Sequence, residues 1–246
     1  MELTAMFVAA ALVLAGTVKG AVGLGLPPIA MGFMVLVMPP VEAAALLVIP
    51  AFFTNAWQML MGPHLRALLR RVWPLLVGAF LCTLLGADWL TEENARIGTI
   101  ILGVVLAAYA ASSLVSLQVT IGKAQQGWFG ALAGGLTGLV TAATGVSSMP
   151  MVPYMQAIGL EKDELIQAMG LSFTVSSVAL AINLASVQAL SWSLGPAVAG
   201  ALAAVTLGLW LGQIVRRRLN PATFRTLFLI VLLVLGLYLA LRSLLA

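Results

Sequence analysis

A chain of 246 residues that is 62% hydrophobic and only 8% charged cannot cover a water-facing surface, since soluble domains devote about a quarter of their residues to charge. Its net charge of +4 comes mostly from arginines between apolar runs, which is the pattern of cytoplasmic loops and gives no reason to expect nucleic acid as a partner. The single cysteine, Cys82, excludes an intrachain disulfide.

The apolar runs recur along the whole chain and exceed the ~20 residues a spanning helix needs. They are not the short alternating segments of a membrane β-barrel. An all-α integral membrane protein of the cell (cytoplasmic) membrane is therefore expected. Met1-Glu2-Leu3 has no basic segment, so no cleaved leader is expected.

The first apolar run, Leu3 to Met38, would be ~54 Å long as one straight helix, well beyond the ~30 Å hydrocarbon core. It must break, and the stretch KGAVGLGLPP from Lys19 to Pro28 supplies the glycines and prolines to break it. A span from Ala43 to Met61 follows, then a basic loop with His64, Arg66, Arg70 and Arg71. Val72 to Ala87 is the next span, then an acidic loop from Asp88, then a span from Ile97 to Leu117. In the second half Trp128 to Ile158 is again long and broken, around Thr144 to Pro153. A charged loop at Glu161 to Glu164 leads to spans at Leu165–Ala185, Leu194–Val215 and Thr226–Leu241.

The two halves repeat one plan. Gly16, Gly23, Pro28, Glu42, Pro74, Gly78 and Gly86 recur as Gly138, Gly145, Pro150, Glu164, Pro196, Gly200 and Gly208, each 122 residues further on. Leu90, Arg96 and Tyr109 recur as Leu219, Arg225 and Tyr238, each 129 further on. The expected organisation is a first transmembrane repeat at 1–117, a connector at 118–127 and a second repeat at 128–246. Each repeat has a broken, re-entrant helical hairpin followed by three transmembrane helices. Equivalent loops carry opposite charge signatures, which the positive-inside rule reads as inverted repeats. Four spans per half in parallel is the other count.

Irregular backbone at membrane depth survives only when buried in protein or lining a wet cavity, and paired broken segments point to a transporter's substrate site. The first tip offers Lys19, Gly23, Gly25 and Pro28. The second, TAATGVSSMP, offers Thr141, Thr144, Ser147 and Ser148. Half-helices starting near Pro28 and Pro150 would add backbone N–H groups, and the set suits an anion with several oxygens. Asn55 and its counterpart Ser177 would complete the lining, with Gln58, Ser172, Thr174, Ser176 and Asn183 as further candidates. The plainer accounts are a lysine snorkelling to an interface and small hydroxyl residues packing between helices. Glu42 and Glu164 each fit a carboxylate in a first helical turn. No catalytic or metal-binding motif is present, so neither an enzyme nor a cofactor is expected.

With the repeat and its tips in view, the chain resembles the TauE/SafE family of sulfite exporters. The resemblance lies in GTVKGAVGLGLPPIAMGFMVLVMPP from Gly16, GLTGLVTAATGVSSMPMVPYMQAIGL from Gly138 and IPAFFTNAWQM from Ile49. The second tip departs from the family's glycine-rich run at Thr144-Gly145-Val146-Ser147-Ser148. The resemblance implies secondary transport of sulfite, sulfonates such as sulfoacetate, or related organic acids. Alternating access between the two repeats, a coupling proton or sodium ion, and a homodimer are the attendant expectations. A passive anion channel and a non-transporting assembly or sensor subunit are the other readings.

Overall fold

The structure is a computed structural model describing residues 2–86, 89–91, 93–115, 119–191, 194–218 and 221–245, with side chains omitted at 221 and 222. The described residues are helical, without a strand. The first half comprises α1 (Glu2–Val22), α2 (Leu26–Met34), α3 (Pro40–Leu60), α4 (Leu65–Leu85) and α5 (Ala95–Val115). A 3-10 turn at Lys123–Gln125 leads into α6 (Gln126–Thr144), α7 (Met151–Ala157), α8 (Lys162–Ser186), α9 (Gly195–Arg218) and α10 (Pro221–Leu245). Among the described residues seven helices are long and apolar enough to cross a membrane: α1, α3, α4, α5, α8, α9 and most of α10. Large side chains such as Leu3, Phe53, Trp73, Leu136 and Val234 stay exposed, as a lipid-facing surface requires.

Both expected breaks are present. The last turn of α1 is closed by the Gly23 N–H on Lys19 O at 2.7 Å, and Gly23 has φ 84°. α6 ends the same way: the Gly145 N–H meets Thr141 O at 2.8 Å, with φ 71°. A side chain is strained in that left-handed region, so glycine is the residue that can turn the chain there. Pro27 and Pro28 then occupy the first turn of α2, where no N–H is missed.

Three boundaries differ from the sequence reading. Arg66, Arg70 and Arg71 belong to the first two turns of α4, because the helix starts directly after Gly62 and Pro63 and continues through its basic residues. Pro74 is therefore inside that helix. α3 begins at Pro40, three residues before the expected span at Ala43, because a proline is tolerated in a helix's first turn. The charged stretch at 161–164 opens α8, where Glu161 and Glu164 form a capping box. Asp88, Glu92, Trp192 and Leu219 lie outside the described residues.

Helix association in a bilayer has no hydrophobic drive, so close backbone packing at small residues must supply it. Gly16 and Gly20 of α1 meet Gly208 and Gly212 of α9, with the helices parallel; a Cβ on Gly208 would lie 2.9 Å from Gly16 Cα. Gly78 and Gly86 of α4 meet α6 at Gly134, Gly135 and Ala142, again parallel. α5 and α10 run antiparallel, with Gly103 against Gly236. Arg96 Nε donates to Ser243 O at 2.9 Å at one end of that pair, and Arg225 Nη2 to Ser113 O at 3.5 Å at the other. α3 and α8 are also antiparallel. Gln58 of α3 donates to Ile166 O at 2.8 Å, and Gln167 of α8 donates to Met59 O at 2.8 Å and Gly62 O at 2.6 Å.

These directions gather one end of the bundle. The ends of α3, α5 and α9 lie beside the starts of α4, α6, α8 and α10. Of the 12 lysines and arginines, only Arg96 and Arg242 lie at the opposite end.

Candidate functional site

Two spaces beside α3 and α8 hold the polar candidates. The larger is a vestibule of about 850 Å³ at the basic end, with Lys162, Arg216 and Arg225 among its walls and Asp163 beside them. Lys19, Thr54, Gln58 and Gly23 line it more deeply. Lys19 lies one turn before the end of α1 and is 6% exposed. Its Nζ donates to Thr54 Oγ1 at 3.0 Å and to Asn55 Oδ1. Both partners are neutral oxygen acceptors. Asn55 is 1% exposed, and its Nδ2 has no partner. A lysine ammonium and an unspent amide thus stand together as N–H donors. Gln58 Nε2 reaches Gly23 O at 3.4 Å, tying the first break to α3.

The smaller space is a cavity of about 20 Å³, room for one water. Thr141, Gly145 and Ser147 of the second break line it, with Pro27 of the first, Ser176 and Ser177 of α8, and Ala44, Val48 and Ala51 of α3. Ala51 and Asn55 are one helical turn apart on α3, so the two spaces lie ~6 Å apart along it.

The structure thus brings Lys19 and Gly23 to the vestibule wall, with Asn55 bonded to Lys19 but lining neither space, and Thr141, Ser147 and Ser177 to the cavity. The remaining candidates line neither space. Gly25 faces the Phe228 ring, 3.2 Å from where its Cβ would be. Pro28 is buried in the first turn of α2, and its neighbour Pro27 reaches the cavity instead. Thr144 Oγ1 donates to Val140 O at 2.7 Å and accepts the Val146 N–H at 3.2 Å, which caps the break. Ser148 is buried, and its carbonyl accepts the Val152 N–H at 3.0 Å. Glu164 accepts the Glu161 N–H at 3.2 Å, and Glu42 lies in the first turn of α3.

The sequence reading passed over Thr54. The repeat itself carries the signal for it. At the offset of 122, Lys19, Thr54 and Asn55 correspond to Thr141, Ser176 and Ser177, so the vestibule group and the cavity group occupy matching positions in the two halves.

No curated protein and no solved structure matches the chain. The profile of the family described as sulfite exporter TauE/SafE matches residues 8–239, which include both breaks and part or all of every helix named above. The chain belongs to the TauE/SafE family of sulfite exporters.

Proposed function

We propose that the protein is a secondary transporter of a small sulfur oxyanion, sulfite or an organosulfonate, working by alternating access between two inverted repeats at 1–117 and 128–246. The observation that carries this reading is the Lys19 amine, buried one turn before the first helix break and held, among the described residues, by the neutral Thr54 and Asn55 at the foot of a basic vestibule. A charge in that position is costly unless it serves a ligand. Lys162, Arg216 and Arg225 raise the local concentration of anions. Lys19 then neutralises the bound anion while Asn55 Nδ2 donates to one of its oxygens. The antiparallel pairing of α3 with α8 and of α5 with α10 supports an inverted relation between the halves.

The positive-inside rule puts the basic end in the cytoplasm and makes this an inward-open arrangement of a cell-membrane protein. The water-sized cavity beyond the vestibule supports alternation over an open anion pore. Lys19→Ala in proteoliposomes tests the reading. Sulfite binding should weaken roughly 10- to 100-fold, the value of one charged hydrogen-bonding partner. Wild-type affinity in that variant overturns the role of Lys19.

A further inference from the structure

The cavity group matches the vestibule group in position but reverses its hydrogen-bonding sense. Lys19 and the Asn55 amide present donors. Thr141 Oγ1 spends its proton on Thr137 O at 2.7 Å, leaving only lone pairs for the cavity. Ser176 is 1% exposed, lines the cavity and leaves its Oγ without a partner. Ser147 and Ser177 add two more hydroxyl oxygens. Thr141 and Gly145 belong to the last turn and cap of α6, so the negative end of that helix dipole borders the same space. Buried hydroxyls beside a void are stable only when something answers them.

Size and charge narrow the occupant. A sulfur oxyanion has several oxygens and does not fit about 20 Å³. Among the described residues no carboxylate lines the cavity, as calcium or magnesium would require. No titratable side chain lines it either, so a proton has no carrier there. Oxygen lone pairs beside a helix C-terminus suit a bare monovalent cation, as at the broken helices of ion-coupled transporters.

We propose that this cavity is a sodium-ion site, and that the ion is the coupling ion of the transport reading given above, on which its coupling role rests. Lys19 lies about a turn further along α3. Its charge opposes a second cation until an anion neutralises it. Each substrate therefore favours the other, and the coupling is reciprocal.

Thermal unfolding of the purified full chain in sodium, potassium or choline chloride at one ionic strength tests the site. Sodium should raise Tm saturably, and potassium and choline should not. Ser176→Ala and Thr141→Val should unfold as wild type does in choline, yet need about tenfold more sodium for the same rise. A wild-type protein with no sodium-specific rise, or variants with an unaltered one, overturns the site. If Ser176→Ala does not fold, proteoliposome flux of the wild type decides: sulfite should accumulate with a sodium gradient and not with a potassium gradient. Sulfite flux indifferent to sodium overturns this inference and leaves the transport reading standing. Sodium-specific stabilisation without sulfite flux or binding overturns the transport reading and leaves the cation site standing.

Discussion

Lys19 is held by an amide and a hydroxyl, so no counter-ion among its hydrogen-bond partners competes with an incoming anion. Asn55→Asp would replace the amide with a carboxylate at hydrogen-bonding range. The resulting ion pair should keep the fold, since the buried charge gains a counter-ion. It should also cancel the cation that an incoming anion needs. The expected outcome is a melting temperature at or above that of the wild type, with sulfite binding by titration calorimetry lost. Retained binding would mean that the anion does not depend on the net charge of this pair. The Lys19–Asn55 contact was half legible in sequence. The repeat and the polarity of both residues singled them out, but their meeting depends on the register of α1 against α3, which no local pattern encodes.

At the scale of elements, Gly23, Gly145, Pro27 and Pro28 made the breaks readable because glycine and proline act on their own backbone. The start of α4 was misjudged for the opposite reason. Its first turns are basic, and arginine stems can lie along apolar surface while their heads reach water, so polarity did not mark a loop there. The packing stripes were unreadable as partners, since any of the 24 glycines could have served. Space around each glycine now separates them. A side chain on Gly212 would lie 2.8 Å from Gly20 Cα of α1, whereas nothing stands within 4 Å of one on Gly200. Gly212→Val should therefore lower stability by about 1–3 kcal/mol, as overpacking does. Gly200→Ala, exposed in the same helix, should be neutral or stabilising by up to ~1 kcal/mol. Chemical or thermal unfolding in detergent compares the two. Equal losses would mean that α1 and α9 do not pack through this stripe.

For the whole molecule, the gathering of cationic side chains at one end of the bundle agrees with the inverted repeats that the loop charges favoured over parallel ones. The inverted arrangement puts the start of α4 and the end of α9 on one side, and the start of α5 on the other. In a Cys82→Ser background, cysteines introduced as Arg66→Cys and Arg217→Cys should react with an impermeant thiol reagent only from the cytoplasmic side. Glu93→Cys should react only from outside. Labelling of Arg66→Cys and Arg217→Cys from opposite sides would require the parallel arrangement and remove the basis for alternation between the halves.

The pairing of α1 with α9 also has a consequence for how the chain is made. The glycine stripe of α1 at Gly16 and Gly20 meets its partner only at Gly208 and Gly212, 192 residues later in synthesis. At ~5–20 residues per second, α1 waits roughly 10–40 s for the surface it fits. α6 has no such wait, because α4 precedes it on the ribosome. The nascent chain therefore passes through a stage in which α4 and α6 can pair while the glycine stripe of α1 still lacks the partner it fits.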